Sequence, residues 1–365
     1  MRIGVLGAGQ LGRMLALAGY PLGLNFHFYD EKPDSPAAKI APQTTASFRD
    51  EQALAVWAES VDVITYEFEN VPLATIRFLE DIKPVSPNST ILEMAQDRFF
   101  EKTFFRKLGL QTPRFKSVDN LEELESGLKE FSLPCVLKTR LLGYDGKGQF
   151  IIRGNADLVK LKQEITSFEG LILEEFVKFE RELSLIAVRS KKGDKAFYPL
   201  VENHHREGIL RVTLAPALQV DTGLQKRANE YLGHIMDSTD YVGVLAVEFF
   251  EKTGNLIVNE MAPRVHNSGH WTIEGAQTSQ FENHLRALLG YPLGETRMRG
   301  NAAMINLIGR YPKVAQVLQI PEAHFHHYEK SEARGRKVGH VTIVADKLED
   351  LLHRLNQFKA LGESK

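Results

Sequence analysis

The chain has 365 residues and a net charge of −2; its length predicts two or three domains, and its charge offers no basic surface for a nucleic acid. No apolar run reaches the ~18 residues that a transmembrane helix needs, so no membrane association is expected. The single cysteine, Cys135, excludes an intramolecular disulfide and fits a reducing cytoplasm, where we expect it to pack as a small buried hydrophobe.

Residues 1–95 are predicted to alternate strands with helices. The strands are expected at Arg2–Leu6, Asn25–Asp30 and residues 61–67, and the helices at Gln10–Gly19, residues 51–60 and Leu73–Glu80. Repeated strand–helix units with short connections are typical of a parallel, doubly wound sheet. A helix-prone stretch over residues 89–108 and a linker at residues 110–113 follow this part of the chain.

A smaller α+β unit is predicted next, and a mainly antiparallel part follows it. The smaller unit has helices at Leu121–Glu130 and residues 156–166, strands at Cys135–Thr139 and residues 149–153 and 171–176, and a glycine-rich loop at residues 140–148. The antiparallel part has strands at residues 182–190, 196–203 and 209–216 and helices at residues 222–237 and 279–289. Strands at residues 303–309 and 339–345 and a helix at residues 348–358 complete the chain.

A predicted β-hairpin carries two glutamates, Glu248 and Glu260. Valine-rich residues 242–250 and residues 256–260 flank a turn that contains Gly254, a pattern typical of a hairpin. With Gly254 at the centre of the turn, Glu248 pairs directly with Glu260. The alternative is a slipped strand that leaves both carboxylates solvated.

The facing carboxylates predict a metal site. Alternation of side chains puts Leu256 and Val258 on the same face as Glu260, which makes that face half-buried. Two half-buried carboxylates that face each other repel, so we expect a cation between them. An oxygen-only site of this kind suits Mg²⁺.

A dense polar run follows the hairpin directly, at residues 261–272. It contains Arg264, His266, Asn267, Ser268 and His270. Loops of this content at the end of a buried strand are places where substrates are held. A zinc site at His266 and His270 is the weaker interpretation, because a zinc-binding helix needs Glu after the first His, whereas the residues between these two predict a turn.

The first of two glycine-rich segments follows the first strand. Gly7, Gly9 and Gly12 have the spacing of the dinucleotide fingerprint, and Asp30 stands near the position expected for an acid that binds ribose. The pattern supports an NAD-dependent oxidoreductase. The alternative is that these glycines serve only the close packing of strand and helix.

The second glycine-rich segment follows Lys138. Its residues are Gly143, Tyr144, Asp145, Gly146, Lys147, Gly148 and Gln149. The segment is not a Walker A motif, but flexible glycines and a lysine can lay backbone N–H groups and a cation over phosphates. The end of the next strand carries Glu174, Glu175, Phe176 and Val177, whose backbone and one carboxylate are suited to an adenine and a ribose.

The order of these features resembles the ATP-grasp superfamily and, within it, the N5-carboxyaminoimidazole ribonucleotide synthase family. The segments that carry the resemblance are GAGQLGRM (residues 7–14), TYEFENVP (65–72), QDRFFEK (96–102), LLGYDGKGQ (141–149), ENHHREGILR (202–211), NEMAPRVHNSGHWT (259–272) and GRKVGHVT (335–342). The resemblance implies an α/β and α+β architecture with an ATP-grasp fold. Its expected parts are a Rossmann-like pre-ATP-grasp domain at residues 1–95, a small lid subdomain at 96–177, a large subdomain with the metal site at 178–295, and a C-terminal segment at 296–365 packed on the large subdomain.

The resemblance also implies an activity. It implies an ATP-dependent ligase of purine biosynthesis that transfers bicarbonate, through carboxyphosphate, to the amine of 5-aminoimidazole ribonucleotide. It implies Mg²⁺, with Mn²⁺ as an alternative, no NAD, and a homodimer. Other ATP-grasp carboxylate–amine ligases, such as a formate-dependent transformylase, share the metal pair and the lid, but the H-N-S-G-H-W-T run favours the carboxyaminoimidazole enzyme.

Roles for single residues come from the resemblance. It implies contacts to ATP by Arg98, Lys138, the loop from Gly143 to Gln149, Glu174, Glu175, Phe176, Val177, Glu182, His205, Asn259 and Glu260. It implies Glu248 and Glu260 as ligands of the metal. It implies contacts to the ribonucleotide by Gln10, Leu11, Glu67, Arg264, His266, Asn267, Ser268, Lys330 and Arg336. The implied catalytic residues are Arg264, Lys138, Tyr144 and Asp145.

Several of these assignments leave alternatives. His205 is preferred to His204 only by its spacing from the glycine that follows. Glu67 and Glu69 are also candidates for capping the helix that begins after residue 72. The GRKVGHVT segment is one residue shorter on its N-terminal side than is common in the family, which leaves a basic cluster whose phosphate-binding member is Arg334, Arg336 or Lys337.

Overall fold

The computed structural model describes residues 1–141, 143, 148–165 and 167–363. These residues form three β-sheets, two of four strands and one of nine, with helices packed around them. No helix in this described part of the chain is both long and apolar enough to cross a membrane.

The N-terminal sheet is parallel, as predicted. Its strands are β1 (Arg2–Leu6), β2 (Asn25–Asp30), β3 (Gln43–Thr45) and β4 (Val63–Tyr66), and its helices are α1 (Gln10–Gly19), α2 (Glu51–Glu59) and α3 (Leu73–Glu80). The strand order is β3-β2-β1-β4, with every pairing parallel. The order reverses between β1 and β4, so the carboxyl ends of these strands open a crevice of the kind where open α/β sheets bind ligands.

The helix-prone stretch at residues 89–108 is two helices. They are α4 (Ser89–Gln96) and α5 (Arg98–Lys107). Asp97 lies between them in an extended conformation, and its carboxylate accepts the backbone N–H of Phe99 at 2.8 Å. This N-cap begins a new helix in a new direction.

The small sheet is antiparallel. It contains β5 (Phe115–Val118), α6 (Leu121–Glu130), β6 (Cys135–Thr139), β7 (Gln149–Ile152), α7 (Asn155–Glu164) and β8 (Leu171–Glu175), with the strand order β5-β8-β6-β7. Cys135 is fully buried in the core of this sheet with Leu137 and Leu173, as the sequence predicts.

The nine-stranded sheet combines the antiparallel strands that follow residue 180 with the C-terminal strands. Its elements are β9 (Arg181–Arg189), β10 (Lys195–Phe197), β11 (Val201–Arg206), β12 (Ile209–Ala215), α8 (Thr222–Ser238), β13 (Gly243–Lys252), β14 (Asn255–Ala262), α9 (Thr272–Gly275), α10 (Gln280–Leu289), β15 (Asn301–Ile308), α11 (Val314–Val317), β16 (Ala323–His327), β17 (Lys337–Ala345) and α12 (Leu348–Glu363). The order is β14-β13-β9-β11-β12-β15-β17-β16, and β10 pairs with β9. The strand expected at residues 196–203 is therefore two strands, β10 and β11.

The hairpin of β13 and β14 pairs Glu248 with Glu260, as predicted, but it does so through a β-bulge. Thr253 and Gly254 form a two-residue turn with positive φ angles of 47° and 70°, and this turn aligns Phe249 with Val258. Asn259 is then an extra residue on β14, after which Glu248 lies opposite Glu260.

The bulge corrects one prediction about the hairpin faces. The sequence predicts Leu256 and Val258 on the face of Glu260, but they pack with Phe249 in the core on the other side of the sheet. One extra residue shifts the alternation of side chains by one position. The face that carries Glu248 and Glu260 is therefore less apolar than the sequence suggests.

The N-terminal sheet is joined to the large sheet by buried polar and apolar contacts. Thr65 Oγ1 on β4 lies 2.9 Å from His284 Nε2 on α10, and the N–H of Val244 on β13 donates to His284 Nδ1 at 3.0 Å. Leu15 of α1 and Leu285 of α10 belong to one continuous core. These contacts fix the crevice of the N-terminal sheet against the carboxylate hairpin.

Candidate functional site

A cavity of about 740 Å³ lies where the three sheets meet. Its walls come from the start of α1, the segment after β4, the small sheet, and the hairpin of the large sheet. The predicted site residues that line it are Gln10, Leu11, Glu67, Arg98, Lys138, Gly143, Gln149, Glu174, Glu175, Phe176, Val177, Glu182, His205, Glu248, Asn259, Glu260, Arg264, His266 and Asn267. Tyr144, Asp145, Gly146 and Lys147 lie outside the described residues, and Gly148 is not part of the lining.

The facing carboxylates of Glu248 and Glu260 have different neighbours. Arg98 donates from Nη1 to Glu260 Oε2 at 2.9 Å, while Glu248 Oε1 lies 3.7 Å from His266 Nε2. Burial and the charge of Glu260 raise the pKa of Glu248 to about 7. Burial also acts on Glu260, but Arg98 outweighs it and lowers the pKa of Glu260 to about 2. A further positive charge beside the pair would therefore stabilise both carboxylates in their ionised form.

The bulge brings a neutral oxygen donor beside the carboxylates. Asn259, the extra residue of the bulge, lines the cavity together with the three residues that follow it, Glu260, Met261 and Ala262. Asn259 Oδ1 is buried and has no hydrogen-bond donor among the described residues. Within the same described part of the chain, no cluster of three or more His, Cys, Asp or Glu residues is arranged to hold a metal.

A buried ion-pair network lies on the small-sheet side. Lys138 Nζ on β6 is 2.9 Å from Glu174 Oε2 on β8, and Lys102 Nζ on α5 is 3.5 Å from the same oxygen. Burial alone would raise the pKa of Glu174, but the two lysines lower it. Sequence reasoning missed Lys102 and its neighbour Glu101; the available signal was two adjacent charges in a helix that also buries two phenylalanines.

The histidine on β11 that faces the cavity is His205. Its Nδ1 lies 2.9 Å from Glu182 Oε2 on β9, and both residues line the cavity. Burial would lower the pKa of His205, but the hydrogen bond with Glu182 and the nearby carboxylates raise it. His204 is more exposed and lies 3.4 Å from Glu202, so the geometry favours the choice of His205.

Arg264, His266 and Asn267, which follow β14, also line the cavity. Arg264 forms a two-pronged ion pair with Glu69, in which Nη2 donates to Oε1 at 3.0 Å and Nε donates to Oε2. Burial and Arg264 lower the pKa of His266 to about 3, so His266 is neutral. Asn267 exchanges amide hydrogen bonds with Asn306 at 3.0 and 2.7 Å.

Ser268 does not line the cavity. It is fully buried, and its hydroxyl bonds Ser184 Oγ at 2.8 Å and His266 Nδ1 at 2.9 Å. The polar run predicts that Ser268 is presented to the substrate. The turn that follows His266 instead directs Ser268 into the large sheet, where it orients the His266 ring.

The N-terminal glycine turn is already filled by a side chain of the protein. Both carboxylate oxygens of Glu67 accept backbone N–H groups at the start of α1, from Gly9 and from Gly12, the latter at 2.6 Å. A Cβ at Gly9 would lie 2.5 Å from Glu67 Oε1. Asp30, the candidate ribose acid, accepts the N–H of Ala8 at 2.8 Å. The place of a dinucleotide pyrophosphate is thus taken, which argues against the NAD alternative.

This arrangement also settles the capping alternative. Glu67 caps α1, and Glu69 pairs with Arg264. The helix after Pro72, α3, has no side-chain cap. Neither glutamate therefore has the capping role that was considered for α3.

The members of the basic cluster near the C terminus differ in whether they line the cavity. Lys337 lines the cavity, whereas Lys330 and Arg336 do not. Lys330 is half-buried, and burial lowers its pKa while Glu67 opposes that change. Arg336 is exposed and bonds Ser331 Oγ at 2.6 Å, and Arg334 is exposed.

Known families match the chain in three consecutive segments. The ribonucleotide synthetase preATP-grasp domain matches residues 1–96, the ATP-grasp domain residues 103–281, and the phosphoribosylaminoimidazole carboxylase C-terminal domain residues 302–354. These matches agree with the predicted fold class.

Several relatives and solved structures match the chain along nearly its whole length. The N5-carboxyaminoimidazole ribonucleotide synthase of Pseudomonas aeruginosa is 50% identical over 364 residues, covering 100% of both chains. The N5-carboxyaminoimidazole ribonucleotide synthetase structure from Thermus thermophilus is 53% identical, covers 98% of both chains and has a TM-score of 0.94. An Aspergillus clavatus synthase in complex with ADP and 5-aminoimidazole ribonucleotide is 29% identical, covers 99% of this chain and 98% of its own, and has a TM-score of 0.91. The chain therefore belongs to the N5-carboxyaminoimidazole ribonucleotide synthase family, and it is an ATP-dependent ligase of the ATP-grasp fold that forms a carbon–nitrogen bond.

Proposed function

We propose that the chain carboxylates the exocyclic amine of 5-aminoimidazole ribonucleotide, using ATP and bicarbonate, in purine biosynthesis. The observation that carries this proposal is one cavity that joins the facing carboxylates to the start of α1. One end offers cations and carboxylates suited to ATP, and the other offers polar side chains suited to a ribonucleotide. Family membership favours this reaction over that of a formate-dependent transformylase.

The ATP is proposed to lie between the small sheet and the hairpin. Lys138 and Arg98 supply positive charge, and the backbone at Glu175, Phe176 and Val177 offers an edge for the adenine. Glu182, held by His205, is suited to accept ribose hydroxyls. Gly143 and Gln149 line the cavity at the two ends of the glycine loop, whose Tyr144 and Asp145 remain proposed catalytic residues.

The carboxylate pair fits Mg²⁺, or Mn²⁺ in its place. Its donors are hard oxygens, the buried Oδ1 of the adjacent Asn259 lacks a hydrogen-bond donor among the described residues, and burial and the charge of Glu260 raise the pKa of Glu248. We propose that Glu248 and Glu260 hold the ion and that phosphate oxygens and water complete its coordination. When bound, the ion supplies charge neutralisation to the phosphates.

The ribonucleotide is proposed to occupy the end of the cavity near α1. Gln10 and Leu11 line the cavity in the first turn of α1. Arg264, His266 and Asn267 face the same space. For the 5′-phosphate we propose Lys330 and the basic cluster at residues 334–337; Lys337 is the member that lines the cavity.

In the proposed reaction, a bicarbonate oxygen attacks the γ-phosphorus of ATP. The bond from that phosphorus to the β–γ bridging oxygen breaks, which yields ADP and carboxyphosphate. Carboxyphosphate then gives CO₂ and phosphate inside the cavity, and the amine attacks the carbon and loses a proton. Lys138, Arg98 and Arg264 supply fixed positive charge for the phosphoryl step, and exclusion of water protects the labile intermediate.

The domain limits, the location and the oligomeric state are proposed from the resemblance to the family. We propose the domain limits 1–95, 96–177, 178–295 and 296–365, a cytoplasmic location, and a homodimer. Sedimentation of the purified protein tests the homodimer.

Phosphate release from ATP tests the proposed function. We expect the rate of phosphate release in the presence of Mg²⁺ and bicarbonate to rise by at least about tenfold when 5-aminoimidazole ribonucleotide is added. The reason is that the interactions that stabilise the transition state are complete only when the acceptor is bound. Formate in place of bicarbonate is the control and should give no such rise. Absence of stimulation by the ribonucleotide would contradict the proposal.

A further inference from the structure

Two neighbouring charged residues of α5 contact the backbone of β14 on either side of Glu260. Lys102 Nζ donates to the carbonyl oxygen of Asn259 at 2.9 Å. The backbone N–H of Met261 donates to Glu101 Oε1 at 2.7 Å. Glu101 and Lys102 are 2% and 1% exposed, so both contacts are made in the protein interior.

Burial of these charges needs a reason. Charged groups are rarely buried unless they are paired and hydrogen-bonded, because they lose their hydration. β14 is the edge strand of the large sheet, so backbone groups on its outer side have no ladder partner, and such groups must find partners when they are buried. Glu101 and Lys102 supply an acceptor and a donor to the residues on either side of Glu260.

The bulge itself determines what the cavity contains. The Thr253 and Gly254 turn aligns Phe249 with Val258, and the extra residue Asn259 follows. Without the extra residue, the register set by the turn would pair Glu248 with Asn259 and turn Glu260 to the other face. With it, Glu248 lies opposite Glu260, and both glutamates line the cavity.

We propose that Glu101 and Lys102 are positioning residues that hold this bulge and so keep Glu260 opposite Glu248 at the cavity. Glu101 acts through the N–H of Met261, and Lys102 acts through the carbonyl of Asn259. The inference rests on the proposed function only in that it takes Asn259 and Glu260 as the residues that meet metal and nucleotide.

Substitutions at Glu101 separate its role as an acceptor from a general role in packing. Glu101→Met removes the acceptor at similar size, while Glu101→Gln keeps an Oε1 that can accept from Met261. We expect the dissociation constant of Mn²⁺ in the presence of ADP, measured by electron paramagnetic resonance, to rise by about tenfold or more in Glu101→Met and to stay within about twofold in Glu101→Gln. Amide hydrogen exchange at Met261 should accelerate in Glu101→Met alone.

Lys102→Met removes the contact with the carbonyl of Asn259 and, with it, the ion pair with Glu174. We expect a similar weakening of Mn²⁺ binding, with a fall in kcat of about tenfold or more and a KM for the ribonucleotide within about twofold of the original, because that ligand is proposed to bind at the other end of the cavity. This variant also serves if Glu101→Met does not fold.

Three outcomes would overturn the inference. The first is normal Mn²⁺ binding with unchanged exchange at Met261 in Glu101→Met, and the second is normal Mn²⁺ binding in Lys102→Met. The third is an equal loss of Mn²⁺ binding in Glu101→Gln and Glu101→Met, which would assign the effect to charge and not to the acceptor. Failure of the proposed function is distinguishable, because the wild-type protein would then show no turnover of the ribonucleotide while the effects on Mn²⁺ binding and exchange persist.

Discussion

Glu248 and Glu260 face each other on neighbouring strands, but their pKa values differ because their other neighbours differ. Glu260 has Arg98 at 2.9 Å, which keeps its pKa at about 2, whereas burial and Glu260 itself raise the pKa of Glu248 to about 7. Near neutral pH, one carboxylate is charged and the other is partly protonated. A second cation beside the pair would let both carboxylates ionise.

Glu260→Gln is expected to lower kcat by about 100-fold or more while the protein stays folded. The amide keeps the shape and can still accept from Arg98, but it removes the charge that a metal ligand needs. Steady-state phosphate release and thermal unfolding measure the two effects. Glu180→Gln makes the same chemical change at an exposed residue outside the cavity lining and should leave kcat unchanged. Near-normal turnover of Glu260→Gln would contradict the role proposed for the pair.

The hairpin of β13 and β14 shows how one element can combine a tight turn with a bulge. The turn uses two left-handed residues, Thr253 and Gly254, a geometry that matches the twist of the strands. The bulge at Asn259 then changes which side chains face the cavity. The turn determines which residues of the two strands pair, and the bulge determines which side chains of β14 face the cavity.

Gly254→Ala is expected to destabilise the protein by about 1 kcal/mol through backbone strain alone. A Cβ at Gly254 would meet nothing within 4 Å, but its φ is +70°. Gly154→Ala is the matched control, because that site is equally open and its φ is −179°. Denaturant unfolding of both variants measures the difference. Equal stability of the two would show that strain at the turn is absent.

At the scale of the whole molecule, His284 joins the N-terminal sheet to the large sheet. Its two ring nitrogens bond Thr65 and the N–H of Val244, and it is fully buried. Burial lowers the pKa of His284 to about 3. The neutral ring is therefore part of the contact that holds the two walls of the cavity together.

Acidification is expected to weaken this contact. The pKa of His284 in the folded protein lies below the value of ~6.5 for an unfolded chain, so its contribution is complete above that value and falls as the pH drops toward 3. Between pH 7.5 and pH 5, the advantage in unfolding free energy of the wild type over His284→Gln should shrink by about 2 kcal/mol.

Denaturant titrations at the two pH values measure this change. The control is His234→Gln, which makes the same substitution at an exposed residue of α8. An advantage of the wild type over His284→Gln that does not change with pH would contradict the assignment.

The sequence by itself determined most of the strands and helices, though not β3, β5 or β16, together with the pairing of Glu248 with Glu260 and the family. Such features depend on local periodicity and on motifs of adjacent residues, so they can be predicted from neighbouring positions. Only the tertiary structure decided that Glu67 fills the glycine turn 58 residues before it, that Ser268 points away from the cavity, and that Glu101 and Lys102 lie against the bulge. These outcomes depend on which backbone groups are left without partners after the sheets pack, and that is a property of the assembled fold.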